Sequence, residues 1–374
     1  MRIACPTEIK AQENRVGLTP SSVTELCARN HEVYIQSGAG LGAGFSDQDY
    51  HHAGAQVVPD ADTIFECAEL IVKVKEPQAS ERQKLKPDQC LFTYLHLAPD
   101  KDQTRDLLAS GSTCIAYETV RDKQQRLPLL APMSEVAGRM SVQAGAHCLE
   151  KQQCGRGVLL GGVPGVEPAK VMVLGAGVVG SSAIKMAVGL GAQVFAFDAS
   201  IDALRRIDDL YGNRVTCIHS NKASIERHAL EADLIIGAVL IPGASAPKLI
   251  QRDLLKRLQL GAVLVDVAID QGGCFETSKA TTHENPTYMI DDVVHYCVAN
   301  MPGAVARTSA QALNNATLPY LLKLADNGIR QALESDYGFL QGLNIVDGQL
   351  CCKEVAEAQN LPSISLDKAL SLLK

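Results

Sequence analysis

Apolar runs alternate with helix-like patterns through roughly the first third of the chain. The apolar runs predict strands, and the repeats of apolar residues at helical spacing between them predict helices. The predicted strands are Arg2–Cys5, Glu32–Gln36, Leu70–Lys75, Cys90–Leu95 and Thr113–Tyr117. The helices predicted between them lie near Ser21–Arg29, Ala61–Ala68 and Lys101–Ser110. Such alternation is typical of βαβ units and a parallel sheet.

A second alternating series runs from Lys170 to about Asn300, with further apolar strands at Asp233–Ala238 and Ala262–Ile269. A length of 374 residues favours two domains. We therefore expect each series to form a parallel sheet of its own.

A predicted long helix, from Ser134 to about Gln152, joins the two series. After Asn300 the pattern turns helical, from about Ser309 through Leu333, and we predict no further strand series. The simplest architecture is two doubly wound domains. In it the C-terminal helices cross back to complete the first domain.

The segment Lys170–Asp198 carries a dinucleotide-binding pattern. Gly175, Gly177 and Gly180 follow an apolar strand in G-x-G-x-x-G spacing, which permits a tight turn, close approach of a pyrophosphate and packing of helix on strand. Asp198 ends the next strand, where it can accept hydrogen bonds from ribose hydroxyls and repel a 2′-phosphate. A tight turn that binds nothing is the alternative, and the full strand–turn–helix–strand context disfavours it. We expect an α/β protein of two Rossmann-like domains with a cleft between them, and NAD as the cofactor.

Composition narrows the class of partner. The net charge of −7 offers no basic surface for nucleic acid. No apolar run reaches the roughly 18–20 residues that span a bilayer, and no signal peptide is recognisable. The 12 cysteines are scattered without a C-x-x-C pair, so we expect reduced thiols and a cytoplasmic protein. We assign no metal site.

Four ionisable residues mark the loops at the carboxyl ends of predicted strands, where open α/β sheets bind ligands. Lys75, His96 and Asp270 each close an apolar run, and Arg15 lies in the loop after the first strand. Each has a plain structural alternative, as a surface charge, a turn cap or a salt bridge. Two sheets facing each other would place Arg15, Lys75 and His96 on one wall, opposite NAD and Asp270.

These residue types suit oxidation of an amino acid. Arg15 can bind a carboxylate with two parallel hydrogen bonds. Removing a hydride from the α-carbon gives an imine that water must attack, and these steps need acid/base groups such as His96, whose ordinary pKa is near neutral. Lys75 can act as a base if it is buried, or polarise the carbonyl if it is protonated. The sequence alone leaves both roles open.

Several longer motifs contain these residues. They are Glu13–Pro20, Val74–Pro77, Tyr94–Ala98, Pro132–Met140, Gly161–Val166, Gly175–Gly177, Asp270–Cys274 and Asn300–Val305. In them the chain resembles the alanine dehydrogenase family, which also contains the NAD-binding domain of proton-pumping transhydrogenases. The resemblance covers essentially the whole chain.

The resemblance implies reversible, NAD-dependent oxidative deamination of L-alanine to pyruvate and ammonia. The resemblance implies that Arg15 and Lys75 hold the substrate carboxylate and carbonyl. It makes His96, Asp270 and Lys75 the catalytic candidates. Met133 and Asn300 would line the site. The NAD contacts it implies are Ser134, Gly175, Gly177, Gly180, Asp198, Ser220, Val239, Leu240, Val267, Asp270, Lys279, Val298, Asn300 and Met301. It also implies a homohexamer.

The expected domains are residues 1–128 with 306–374, for substrate and catalysis, and residues 129–305, for NAD. The chain departs from the family pattern at Ala203, where a basic residue is frequent, and at Ala306, where proline is usual. The runner-up is the NAD-binding subunit of a proton-translocating transhydrogenase. Against it stand the segment Met133–Glu135 and the lack of a membrane segment. A third alternative, an NAD-binding protein with a dead site, is disfavoured by the four ionisable residues together.

Overall fold

The computed structural model describes residues 1–239 and 246–373, in which strands and helices alternate. Numbered in chain order, the strands are β1 (Arg2–Cys5), β2 (Glu32–Gln36), β3 (Gln56–Val58), β4 (Leu70–Val72), β5 (Cys90–Thr93), β6 (Thr113–Ala116), β7 (Lys170–Leu174), β8 (Gln193–Asp198), β9 (Val215–His219), β10 (Leu234–Gly237), β11 (Val263–Asp266), β12 (Thr287–Ile290), β13 (Val293–Tyr296), β14 (Leu343–Val346) and β15 (Gln349–Leu350).

The α-helices are α1 (Pro20–Cys27), α2 (Asp47–His52), α3 (Ala61–Cys67), α4 (Ala79–Arg82), α5 (Lys101–Ser110), α6 (Ala131–Cys148), α7 (Val178–Gly189), α8 (Ile201–Tyr211), α9 (Lys222–Ala229), α10 (Arg252–Leu255), α11 (Ala306–Asn327), α12 (Ile329–Glu334), α13 (Tyr337–Leu340), α14 (Lys353–Gln359) and α15 (Leu366–Leu372). Within the described residues, none of these helices has the length and apolar character needed to cross a membrane.

The chain divides into two compact units. The first comprises Met1–Met133 and Val305–Lys374, so the C-terminal helices belong with the N-terminal series. Its eight-stranded sheet has the order β15-β14-β6-β5-β4-β1-β2-β3, with β1 to β6 parallel. The strand order reverses between β1 and β4, and in doubly wound folds the ligand binds where the order reverses.

The second unit, Ser134–Ala304, has its own seven-stranded sheet. Its order is β12-β13-β11-β10-β7-β8-β9, parallel except for the edge strand β12. The reversal here falls between β7 and β10. Each unit therefore repeats the doubly wound arrangement, and the predicted fold class of two Rossmann-like α/β domains is confirmed.

Strand β7 illustrates why these sequences form central strands. Val171 and Val173 are buried in one apolar cluster, while Met172 and Leu174 are buried in another on the opposite face of the sheet. Because alternate residues of a strand point to opposite faces, a strand covered on both sides must be apolar throughout. This accounts for the uninterrupted apolar runs seen in the sequence.

One prediction about the fold is wrong. We expected a helical pattern and no further strand series after Asn300, but β14 and β15 form a hairpin that extends the first sheet antiparallel to β6. The hairpin turns through Asp347 and Gly348, both at positive φ (47° and 69°). Asp-Gly is a strong hairpin signal, and β15 spans too few residues to show an alternating pattern of its own.

Candidate active site

Arg15 is buried in the loop that follows β1. Its Nε and Nη2 atoms donate to the two carboxylate oxygens of Glu13, at 2.7 and 2.6 Å, and its Nη1 atom lies 3.0 Å from the sulfur of Met133. The loop can pack here because Gly17 has no side chain. A Cβ at Gly17 would lie 2.6 Å from the carbonyl oxygen of Val72, beside β4.

The fork of Arg15 that we expected to bind a ligand is therefore partly engaged by the protein itself. Burial opposes ionisation of Glu13, but its hydrogen bonds with Arg15 and the charge of Arg15 hold its pKa below the usual value. The same pairing holds the pKa of Arg15 above its usual value despite burial. Arg15 is thus a fixed cation whose orientation Glu13 sets.

Lys75 lies three residues beyond the end of β4, as part of the same unit. Burial lowers its pKa; the carboxylate of Glu76 opposes this shift, and the cations of Arg15 and Lys10 add to it. Glu76 is itself paired with Lys10. Lys75 and Arg15 are therefore close enough for their charges to interact, at the edge of the sheet where the strand order reverses.

His96 lies three residues beyond the end of β5, the neighbour of β4. It adopts a positive φ of 49°. Its backbone N–H donates to Glu118 Oε1 at 2.6 Å, and its ring stacks on Tyr94 with centroids 5.7 Å apart. The backbone N–H of Tyr94 donates to the carbonyl of Val74 at 3.3 Å. This bond links the chain segments that carry His96 and Lys75.

The turn between β7 and α7 has the form that a dinucleotide requires. Gly175 has φ of 100°, and a Cβ there would lie 2.6 Å from the carbonyl oxygen of Ala238. A Cβ at Gly180 would overlap the carbonyl of Gly175, but one at Gly177 would meet nothing within 4 Å. No side chain caps the first turn of α7 from Gly177. The open space at Gly177, beside the N–H groups at the start of α7, fits the pyrophosphate of NAD.

Asp198 ends β8, as the sequence predicts. One carboxylate oxygen accepts the N–H of Ala176 at 2.7 Å, and the other accepts that of Ser200 at 2.7 Å. Asp198 therefore lies directly against the glycine-rich turn. This position suits a carboxylate that binds the adenosine ribose.

Three more predicted NAD contacts follow parallel strands of the second sheet. Ser220 follows β9, Val239 lies two residues after β10, and Val267 follows β11. A Cβ on Gly175 would lie 3.2 Å from Val239 Cγ2. The topology thus collects these residues along one sheet edge with the glycine-rich turn. Leu240, also predicted, lies outside the described residues.

The remaining predicted residues of the second unit follow β11 and β13. Lys279 is exposed, and its backbone N–H donates to Tyr288 Oη at 2.8 Å. Val298 and Met301 are buried, with their side chains in the apolar core of this unit. Asn300 has φ of 60°, and its carbonyl oxygen lies 3.1 Å from Nε2 of His283. Ser134 follows Met133 within α6 and is partly buried.

The placement predicted for Asp270 is wrong. Asp270 does not close the strand, because β11 ends at Asp266 and Asp270 is an exposed residue of the single turn Ile269–Gln271. Asp266 is fully buried and accepts the N–H groups of Ala268, Cys274 and Phe275 at 3.1, 2.8 and 3.3 Å. Because the Asp266 carboxylate binds the backbone N–H groups of the turn that follows, the strand ends at this residue.

The sequence did not predict the roles of several charged residues in and near these loops. Glu13 orients Arg15, Asp266 holds the loop that carries Asp270, and Lys73 is fully buried between Glu8 and Glu81. Lys73 and Asp266 could have been found from the sequence, because each is a charged residue inside a run that we predicted to be an apolar strand. A charge at such a position is rarely buried without a partner.

Two family models match the chain. Alanine dehydrogenase/PNT, N-terminal domain, matches residues 4–137, and Alanine dehydrogenase/PNT, C-terminal domain, matches residues 141–353. The chain is 60% identical over 361 residues to an alanine dehydrogenase of Halomonas elongata, covering 96% of this chain and 97% of that protein. It is 52% identical over 372 residues to an alanine dehydrogenase of Methanococcus maripaludis, covering 99% and 100%.

Solved structures agree with this similarity. A structure of L-alanine dehydrogenase matches with a TM-score of 0.94 at 54% identity, over 96% of this chain and 99% of that one. A transhydrogenase from Sinorhizobium meliloti matches with a TM-score of 0.83 at 24% identity, over 94% and 100%. The second likeness is one of fold alone, so the transhydrogenase alternative is not favoured.

Proposed function

The chain belongs to the alanine dehydrogenase/PNT family, and we infer that it catalyses the reversible, NAD-dependent oxidative deamination of L-alanine to pyruvate and ammonia. The observation that carries this conclusion is that the chain is 60% and 52% identical to two alanine dehydrogenases over nearly its whole length. The residues of each unit agree with it. One unit has the glycine-rich turn of a dinucleotide site, and the other has a buried arginine near a lysine whose pKa is lowered.

The cofactor is NAD, which accepts a hydride from the α-carbon of alanine. Gly175, Gly177 and Gly180 leave room for its pyrophosphate at the start of α7, and Asp198 accepts hydrogen bonds from the ribose hydroxyls. The charge of Asp198 disfavours the 2′-phosphate of NADP. We propose that the other contacts come from Ser134, Ser220, Val239, Val267, Asp270, Lys279, Val298, Asn300 and Met301.

Arg15 and Lys75 bind the substrate in this proposal. The guanidinium of Arg15, held in place by Glu13, binds the carboxylate of alanine or pyruvate. Lys75 lies beside it and contacts the carbonyl oxygen of pyruvate. Met133, which contacts Arg15, and Asn300 are the further substrate-binding residues of this proposal.

The proton transfers belong to His96, Asp270 and Lys75. Water attacks the imine carbon, and a base must take a proton from that water while an acid supplies one to the departing nitrogen. His96 is exposed at the end of β5, so protons can exchange between its ring and water. Lys75 has a lowered pKa, which makes its neutral form accessible at lower pH than that of an ordinary lysine.

We further propose that residues 1–128 with 306–374 serve substrate and catalysis and that residues 129–305 serve NAD. The resemblance to the family supports a cytoplasmic homohexamer. Light scattering during size-exclusion chromatography would measure the assembly directly. A monomeric mass would contradict the hexamer and leave the proposed reaction untouched.

A steady-state survey tests the reaction. The full chain would be assayed by NADH absorbance with L-alanine, L-serine and 2-aminobutyrate, each with NAD and with NADP. In reverse, pyruvate and glyoxylate would be assayed with ammonia. We expect L-alanine and pyruvate to be the best substrates, and NAD to exceed NADP by a wide margin. No turnover of any of these substrates, in a folded chain that binds NADH, would refute the proposed function.

A further inference from the structure

Three charged side chains are buried together in the first unit. The Nζ atom of Lys73 lies 3.0 Å from Glu8 Oε2 and 2.8 Å from Glu81 Oε1, and none of the three is more than 9% exposed. Removing charges from water costs free energy, and a buried ion pair often contributes no more to stability than apolar residues of similar volume. The remaining contacts of this cluster indicate a further role.

The two carboxylates of this cluster hold different parts of the backbone. The second oxygen of Glu8 accepts the N–H of Val74 at 2.6 Å and lies 3.4 Å from the N–H of Lys75. The second oxygen of Glu81 instead accepts the N–H of Gln78 at the start of α4, at 2.7 Å. Glu8 therefore holds the segment from which the Lys75 side chain projects, whereas Glu81 holds only the helix beyond it.

This segment is also the surface on which the Arg15 loop rests. A Cβ on Gly17 would lie 2.6 Å from the carbonyl oxygen of Val72 and 3.0 Å from the Cα of Lys73. A shift of the backbone at residues 72–75 would therefore move Lys75 and disturb the loop that carries Arg15. The reversal of strand order between β1 and β4 places all of these groups at one edge of the sheet.

We propose that Glu8 is a positioning residue for Lys75, acting through its hydrogen bonds to the Val74–Lys75 backbone, with Lys73 as the buried cation that holds Glu8 in place. The proposal rests on the proposed function, since it concerns the lysine that contacts the substrate. It gives the buried cluster a role in catalysis. Glu8 itself does not touch the substrate.

The charges around each group define the expected pH behaviour. Lys75 is influenced by Glu76, Arg15, Lys10 and Glu13. Its pKa is lowered by burial, and Glu76 opposes that shift. If the backbone that carries Lys75 moves, its burial and its distances from Glu76 and Arg15 change together. The pH dependence of turnover that Lys75 governs must then change as well.

Burial raises the pKa of Glu8, whereas the charge of Lys73 and the N–H of Val74 lower it and the charge of Glu81 adds to the rise. Glu8→Gln removes the charge and keeps one oxygen for either Lys73 or the backbone. It therefore cannot hold both in the native way.

The experiment compares Glu8→Gln with Glu81→Gln in the full chain. Both variants remove one buried carboxylate from Lys73, so both should lower the unfolding temperature. Only Glu8→Gln should reduce kcat/KM for alanine and pyruvate, by about 10- to 100-fold, as expected when a reacting group is displaced. It should also shift the pH profile of kcat/KM. NADH affinity, measured by fluorescence titration, should stay at the wild-type value in both.

Glu8→Asp provides a second test in case Glu8→Gln does not fold. It keeps the charge beside Lys73 but is one methylene too short to reach the backbone of Val74 in the same way, so it should show the same kinetic signature. Wild-type kinetics and pH profile in the folded Glu8 variants, or equal kinetic losses in Glu81→Gln, would overturn the proposal. An inactive wild-type enzyme would instead refute the proposed function.

Discussion

At the scale of single residues, the cation of Arg15 is fixed before any substrate arrives. Its side chain is almost fully buried, and Glu13 engages two of its three nitrogens. Such a buried pair costs free energy to desolvate, but it holds the guanidinium in one orientation. A binding group that is already ordered loses little entropy when the substrate carboxylate arrives.

Arg15→Lys should separate charge from geometry. Lysine keeps the charge but cannot form parallel hydrogen bonds with a carboxylate, so kcat/KM for alanine and pyruvate should fall by about 10- to 100-fold. NADH affinity should be nearly unchanged. Arg29→Lys is the matched control, because Arg29 forms an exposed ion pair with Asp326, where the exchange should cost little. Equal kinetics in both variants would show that Arg15 is not the substrate's partner.

Glu13→Gln should make stability less dependent on pH. The pKa of Glu13 is lowered in the folded chain, so its contribution is present above its unfolded pKa and is lost as the pH falls through the folded value. We expect the variant to be about 3 kcal/mol less stable than wild type at neutral pH, as for a broken buried pair. Below about pH 4, near the unfolded value for glutamate, the difference should shrink.

Urea unfolding of both chains from neutral to acid pH measures this difference. A constant difference across that range would mean that the charge of Glu13 contributes nothing to stability.

At the scale of elements, the start of α7 combines an open space with uncapped N–H groups. A helix N-terminus carries a partial positive charge that favours anions. Side chains cap many other helices here, as Thr19 does for α1 and Asp60 for α3. The absence of such a cap at Gly177 leaves this terminus to a ligand.

Gly177→Ala should separate cofactor binding from folding. The new Cβ meets no protein atom within 4 Å, so the fold should tolerate it, but the methyl group occupies space that the pyrophosphate requires. Gly189→Ala, at the other end of the same helix, also meets no atom within 4 Å and should add about 0.5–1 kcal/mol of stability.

Calorimetric titration with NADH should show binding at least about 10-fold weaker for Gly177→Ala, a loss of about 1.4 kcal/mol. It should show no change for Gly189→Ala. Equal affinities in the two variants would place the pyrophosphate elsewhere.

The elements were predictable to the extent that they leave a repeating pattern. Strands β1, β2, β4 to β8, β10 and β11 and the glycine-rich turn follow from apolar runs and spacing, whereas β3, β9, β12 and β13 were not predicted. The ends of strands were predicted less well. We expected β4 to reach Lys75, but it ends at Val72, and the next residue, Lys73, forms buried ion pairs. That cluster depends on Glu8 and Glu81, which lie far from Lys73 in sequence or on another element, and no local pattern reveals such partners.

At the scale of the whole molecule, the strand order reverses once in each of two doubly wound sheets, and such sheets generally bind ligands at this reversal. In the first unit this edge carries Arg15 and Lys75, and in the second it carries Gly175. The sequence could predict which strands lead to these edges, but not the residue at which each strand ends. It could not predict that Glu13 occupies part of the Arg15 fork or that Asp266 ends β11, since both depend on tertiary hydrogen bonds.

The proposed reaction transfers a hydride from the α-carbon of L-alanine to NAD. The most direct test supplies the wild-type chain with L-alanine deuterated at the α-carbon and analyses the products by mass spectrometry. We expect pyruvate, ammonia and NADH in equal amounts, with the deuterium in NADH. Unlabelled NADH, or no NADH from a chain that binds the cofactor, would contradict it.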